Sequence, residues 1–278
     1  MGTIGSAFVG LTQVYGVSSD RLPISQEGLV AWYDAADYAT GNYWYDKSGN
    51  NLTLELKSPP AHPGSFSKVN VPIEALWFSK SEANVGGAHG YSSGWESYFN
   101  SSDLTYIEIY QPYPNFTLTT TDSTFAIGFN NPVSSERLCS TNSIGVSVNT
   151  PFVSDNGYAL GTACGVETYQ YQYAETVFIA RRVQSGFDNT SGLSISYAND
   201  NGTSLVHLGP GNFYQQSTGG TTYTMVGGGG DFVLGSRQDN QNQDAPGYYA
   251  VSITFNRILS DAEIQTVYDY YKDRYSLT

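Results

Sequence analysis

Short runs of strand-forming residues recur along most of this chain, and in places polar and apolar positions alternate with the two-residue period of a strand that buries one face. Leu52-Thr53-Leu54-Glu55-Leu56 is the cleanest case. Before it come Leu29-Val30-Ala31-Trp32-Tyr33-Asp34 and Tyr43-Trp44-Tyr45-Asp46, both dense in strand formers. The turn-rich run Lys47-Ser48-Gly49-Asn50-Asn51 lies between. Further strands are expected over 105–110, 125–129, 143–148, 175–181, 193–197, 204–208, 222–226, 232–234 and 248–255. Gly, Pro, Asn or Asp clusters separate most of them, and Gly227 to Gly230 reads as a four-glycine turn. Residues 57–103 carry Pro59-Pro60, Pro63 and Gly86-Gly87-Ala88-His89-Gly90-Tyr91, and read as one long irregular connection.

The period changes to that of a helix once, at the C-terminal end. Ser260-Asp261-Ala262-Glu263 has the form of a capping box, with Ser260 as N-cap and Glu263 three residues on. Ile264, Val267, Tyr268 and Tyr271 then make one apolar stripe, and Lys272 and Arg274 complement the helix dipole at its end. Many strands and a single helix predict an all-β fold, a sandwich of antiparallel sheets.

Composition narrows the function classes. Charged residues are 13% of the chain, against roughly 25% in an average soluble domain. Net charge is −13 with 12 Lys plus Arg, so few cations are available to neutralise phosphates, and neither nucleic acid nor an anionic membrane is an expected partner. Two cysteines, Cys139 and Cys164, are too few for a disulfide scaffold, and spacing does not decide whether they are bridged.

The chain divides into residues 1–26 and a domain over 27–278. The first segment is apolar and rich in small residues, with Ile4, Phe8, Val9 and Leu11, and then turns polar around Pro23. It reads either as an attachment arm or as an extra edge strand of the same domain. It lacks a basic leader, and Gln13 and Tyr15 interrupt it, so no export signal is expected; no run is long enough for a membrane span.

Two segments together resemble the laminin G-like branch of the concanavalin A-like lectin/glucanase superfamily. Gly28 to Ala35, with Trp32, followed by Trp44-Tyr45-Asp46-Lys47-Ser48-Gly49-Asn50, is similar to the opening strand and its W-x-D-x-S-G-N turn. Ile253 to Ile264, containing Asn256, Arg257, Ser260 and Glu263, is similar to the closing signature, a last core strand running into a capped helix. The resemblance implies a concanavalin A-like jelly-roll sandwich with one short C-terminal helix. Trp32, Trp44, Asp46, Gly49, Asn256, Arg257, Ser260 and Glu263 are then its structural signature. It further implies a virion structural protein of the kind found in phages and large DNA viruses, a capsid-surface, fibre or tail component assembled in the host cytoplasm. Its partners would be other virion or capsid proteins and host surface glycans. The alternatives are a free extracellular lectin that uses calcium, and a glycoside hydrolase or lyase with an unfamiliar site.

Little in the sequence points to catalysis, and a non-enzymatic protein is expected. The superfamily's glucanases use E-x-D-x-x-E on one strand, but here Glu108 is followed by Ile109 and Tyr110. His62, His89 and His207 are isolated, without the spacing of a zinc site. For calcium, Asp155, Asp188, Asp231, Asp239 and Asp244 fall in expected loops, and Asp239 and Asp244 lie in the oxygen-rich run 238–244. For sugar, the loop aromatics Tyr91, Trp95, Tyr98 and Tyr214 are the candidates, with Tyr113 and Tyr223 as further members. Asn51, Asn100, Asn115, Asn189 and Asn201 head N-x-S/T sequons.

Overall fold

Among the described residues the fold consists of two antiparallel sheets, one α-helix and a short 3-10 turn at Ala35–Asp37. The computed structural model describes residues 21–58, 66–70, 73–79, 88–95, 98, 103–112, 124–130, 137–143, 148–155, 158–164, 176–188, 191–199, 204–208, 213–216, 231–235 and 247–277. The first strands are β1 (Leu29–Asp34), β2 (Tyr43–Trp44), β3 (Leu54–Lys57), β4 (Phe66–Val69), β5 (Ala75–Phe78) and β6 (His89–Ser92). Longer ones follow: β7 (Leu104–Pro112), β8 (Thr124–Asn130), β9 (Arg137–Ser143), β10 (Val148–Asp155), β11 (Tyr158–Cys164), β12 (Val177–Asp188) and β13 (Ser191–Asn199). The chain closes with β14 (Val206–Leu208), β15 (Phe213–Gln216), β16 (Asp231–Leu234), β17 (Gly247–Phe255) and helix α1 (Asp261–Tyr275).

The first sheet runs β14-β13-β12-β7-β17-β5-β4, with β1 added to β17. The second runs β15-β11-β10-β9-β8-β16-β6-β3-β2. Sequence-distant strands therefore share the centre of the first sheet, because β17 pairs with β7 on one side and with β1 and β5 on the other. Among the described residues all of the β pairings are antiparallel, which makes this an all-β jelly-roll sandwich with one C-terminal helix.

Alternation along β7 explains the layering. Tyr106 and Tyr110 join the core between the sheets, with Tyr33, Trp44, Leu54, Leu56, Phe232 and Leu234. Ile107 and Ile109, one position out of step, join the core under α1. The first sheet is thus buried on both faces, and β17 is accordingly an almost unbroken buried run. On the helix, Ile264, Val267, Tyr268, Tyr271 and Tyr275 are buried, the two aliphatic side chains each stabilising by roughly 1.5–3 kcal/mol. The capping box predicted at Ser260 and Glu263 is formed from both sides, and Ser276 ends the helix in the left-handed conformation.

Several expected boundaries differ. Residues 57–103 are not one irregular connection, because β4, β5 and β6 lie within them. β5 reads Ala-Leu-Trp-Phe, a continuous apolar run without alternation, because β17 flanks it in a sheet covered on both faces. The strand expected at 143–148 is instead the end of β9 and the start of β10. Asp155, Asp188 and Asp231 are terminal residues of β10, β12 and β16, not loop residues. The strand expected at 222–226 lies outside the described residues.

Backbone register also places the two cysteines on separate strands, β9 and β11. Cys139 pairs with Phe152, which pairs in turn with Gly161, three residues from Cys164 along β11. Two strand spacings combined with three residues of rise separate the cysteines by about 14 Å, beyond the roughly 7 Å a disulfide spans.

Ile4, Phe8, Val9 and Leu11 lie outside the described residues. The end of the 1–26 segment lies on the sandwich, with Leu22 buried and Ile24 packed against the core under α1.

Candidate functional site

The opening turn is a clamp on β1. One edge of β1 pairs with β17. Along its other edge the 46–50 turn supplies hydrogen bonds in place of a strand. Trp32 N–H donates to Asp46 Oδ1 at 3.0 Å, and Lys47 N–H donates to the Trp32 carbonyl at 2.8 Å. Ser48 Oγ and Asn50 Nδ2 both donate to the Val30 carbonyl, at 2.9 and 2.8 Å. Asp46 closes the turn on itself, accepting from Ser48 N at 2.8 Å and Leu52 N at 3.1 Å. Gly49 stands at φ +91°, a conformation that favours glycine. An exposed strand edge is a liability, and here side chains fill it.

The closing signature grips the start of the domain in the same way. Asn256 Nδ2 donates to the Tyr98 carbonyl at 3.1 Å, and Arg257 Nε donates to the Glu27 carbonyl at 2.7 Å. Arg257 Nη2 reaches Glu263 Oε1 at 2.7 Å. Hydrogen bonding from Arg257 holds the Glu263 carboxyl at a pKa of about 2, well below the usual carboxylate range. These contacts join the closing segment to Glu27, to Tyr98 and to the first turn of α1.

The arrangement open to a ligand lies on the outer face of the second sheet. Along Tyr43-Trp44-Tyr45 the middle residue is buried, and its indole N–H donates to the Asp34 carbonyl at 3.1 Å. Tyr43 and Tyr45 therefore project outward, 50% and 65% exposed, with ring centroids 6.5 Å apart and planes inclined by 34°. Register places Glu55 of β3 beside Tyr43, and Tyr91 of β6 beside Glu55. Lys57 Nζ pairs with Glu55 Oε2 at 3.2 Å and lies 3.9 Å over the Tyr91 ring. Beneath this face Trp44 packs on Tyr33 with centroids 5.8 Å apart, and Tyr33 stacks on Phe232 at 6.2 Å. The tyrosines thus stand on a rigid aromatic floor. Two open aromatic faces with a carboxylate and an ammonium beside them can stack on the apolar face of a ring and bond its hydroxyls.

The aromatics expected from sequence to bind sugar are divided by the structure. Tyr91 belongs to this face, half-buried under Lys57. Trp95 does not, being fully buried and stacked on Phe232 at 4.4 Å, so it is a core residue with no ring face to offer. Tyr98 is half-buried and packs against the same core. Tyr214 belongs to β15, at the far edge of the second sheet from β2. Asp239, Asp244, Tyr113, Tyr223 and His62 lie outside the described residues. Among the described residues no group of three His, Cys, Asp or Glu side chains gathers to hold a metal. Of the sequon asparagines Asn51 alone is among the described residues, and it is exposed.

Two other clusters are less suited to a ligand. His207 Nδ1 lies 2.7 Å from Ser196 Oγ and 3.4 Å from Asp261 Oδ1, and Arg182 pairs with Asp261. A proton relay needs the two ring nitrogens to serve serine and carboxylate separately; here one nitrogen faces both, and Ser196 is fully buried. Beside α1 lies an open depression of about 400 Å³ lined by Leu205, Gln265, Tyr268, Asp269, Lys272 and Asp273 among others. Its aromatic, Tyr268, is 5% exposed and presents no open face. Glu108, the residue nearest to a glucanase carboxylate, is 1% exposed and receives the Tyr106 hydroxyl at 3.3 Å in the interior between the sheets.

Tyr43 and Tyr45 are the residues that sequence reasoning passes over, since both read as strand formers. The signal available was their spacing around Trp44.

No family model matches the chain, and comparison with curated proteins gives no match. Solved structures do match. Domain 4 of AbnA, a GH43 extracellular arabinanase from Geobacillus stearothermophilus solved in complex with arabinotriose, is 12% identical with TM-score 0.55, covering 87% of this chain and 99% of that one. A mutant of Trypanosoma rangeli sialidase displaying trans-sialidase activity is 14% identical with TM-score 0.54, covering 89% of this chain and 33% of that one. The receptor binding domain of botulinum neurotoxin mosaic serotype C/D is 12% identical with TM-score 0.53, covering 88% and 51%. This chain therefore spans nearly all of the arabinanase domain, but a third of the sialidase and half of the toxin fragment. At these identities the likeness is one of fold.

Proposed function

We propose that this chain is a non-enzymatic carbohydrate-binding module whose site is the Tyr43–Tyr45 face. The observation that carries the reading is the pair of exposed rings held 6.5 Å apart on a buried aromatic floor. Sugar rings stack on open aromatic faces, and Glu55 beside Tyr43 is placed to bond hydroxyls. The fold is also that of the arabinanase domain solved with arabinotriose, a module of nearly the same extent. A non-catalytic role is supported by the burial of Glu108 and by the contact of His207 through one nitrogen with both Ser196 and Asp261. Retention on a panel of immobilised oligosaccharides tests the reading. Wild-type protein is expected to be held, and Y43A/Y45A to elute with unretarded protein. Equal retention of both proteins would refute it.

A second reading places this binding module on a larger particle, as a virion surface component. What favours it is the resemblance of the Trp44–Asn50 and Asn256–Glu263 segments, together with the apolar residues of the 1–26 segment. Deleting residues 2–20 is then expected to abolish incorporation and leave the sandwich folded.

A further inference from the structure

We infer that the Tyr43–Tyr45 face selects uncharged glycans over acidic ones, and that Glu55 sets this preference; the inference rests on the carbohydrate-binding reading above. The charges around the rings are few and are held in ion pairs. Glu55 occupies the position across from Tyr43, with its side chain 48% exposed. Lys57 is the nearby cation on the same row of strands, but it is held between Glu55 Oε2 at 3.2 Å and the Tyr91 ring at 3.9 Å. Its charge is thus balanced within the protein, and it covers the third aromatic of the face. Lys47, the cation of the following turn, is likewise engaged, by Asp37 and over the Trp32 ring at 4.2 Å. A sugar lying on Tyr43 and Tyr45 therefore meets an ion pair, in which Glu55 engages Lys57, while Lys47 is engaged by Asp37. The second carboxylate oxygen can still accept hydroxyl hydrogen bonds, and by engaging Lys57 the carboxylate keeps that ammonium from attracting a uronic or sialic acid. The net charge of −13 adds a long-range field of the same sign.

The covering of Tyr91 by Lys57 also limits the open platform to two rings, which suits a short stretch of glycan. No covalent step is involved, and selection works through charge alone.

The test measures binding of wild-type, E55Q and E55K proteins to matched immobilised oligosaccharides that are neutral or carry a uronic or sialic acid. Y43A/Y45A serves as the platform control. Glu55 is an exposed residue on a short strand, so these variants are expected to keep the fold, which circular dichroism checks. Wild type should prefer the neutral member by about five-fold at low salt, the scale of one exposed charge pair. E55K should bring the two members level or reverse them, and added salt should shrink the difference. E55Q should fall between. Acidic glycans held as tightly as neutral ones by wild type, or an E55K ratio equal to the wild-type ratio, would overturn the selectivity. Failure of wild type to hold any member would instead remove the carbohydrate-binding reading itself, and this inference with it.

Discussion

The Asp34 carboxylate on β1 accepts both terminal nitrogens of Arg274 on α1, Nη1 to Oδ2 at 3.0 Å and Nη2 to Oδ1 at 2.9 Å. The Asp34 side chain is 4% exposed, so this two-point pair ties the first strand to the last helix through a nearly buried charge. Tyr271 completes the link. Its hydroxyl donates to Asp34 Oδ2 at 3.3 Å and accepts from the Trp32 indole at 2.9 Å. Burial, and then the Asp34 charge, raise the Tyr271 pKa well above that of a free tyrosine, keeping it neutral as a donor.

Removing one partner from such a pair strands the other. Arg274→Ala is expected to destabilise the protein by about 3 kcal/mol, the cost of leaving a buried carboxylate uncompensated. The pair of changes D34A/R274A should cost less than the sum of the two singles. Urea denaturation of the singles and the double checks this, and additive losses would show that the contact carries no coupling.

Asp46 is the second point where one side chain holds a strand. Asp46→Ala removes the acceptor for Trp32, Ser48 and Leu52 N–H groups at once. A loss of about 2–3 kcal/mol is expected from charged hydrogen bonds of this kind. Asp46→Asn keeps one acceptor oxygen and should lose less. Thermal unfolding ranks the two variants; equal losses would mean that charge alone, and not the set of acceptors, matters at this turn.

Acid should loosen the closing turn in a defined window. The Glu263 pKa is lowered from 4.5 to about 2, by the Arg257 hydrogen bond above all. Folded protein therefore binds this proton less readily than unfolded chain. The contribution is present in full above the unfolded value and fades as pH falls from about 4.5 to about 2. Glu263→Gln retains the capping partner and removes the titration, so its stability should change less across that range than that of wild type. Denaturation midpoints measured at intervals from neutral to strongly acidic pH compare them, and parallel curves would exclude Glu263 as a source of acid sensitivity.

The ends of this domain were legible in sequence because they use polar residues for fixed purposes. Asp46, Ser48 and Asn50 fill a strand edge, and Ser260 with Glu263 caps a helix, so their spacing announces what they do. β3 was legible through its alternation, whereas β5, apolar throughout, gave no period to read and lay among prolines and glycines. The binding face was hidden for a related reason. Tyr43, Trp44 and Tyr45 are all large aromatics, and only the placement of Trp44 under Asp34 and against Tyr33 tells which of them turn outward. Trp95 misled in the opposite direction, since its Ser- and Gly-rich surroundings read as an open loop while its ring stacks inside on Phe232.

The most direct measurement is to follow assigned tyrosine ring resonances while a retained neutral oligosaccharide is added, using Y43F and Y45F to assign the two signals. The carbohydrate-binding account predicts that the Tyr43 and Tyr45 rings shift first and furthest, with Tyr91 moving less beneath Lys57. Shifts centred on Tyr268 beside α1, with Tyr43 and Tyr45 unmoved at saturation, would contradict it.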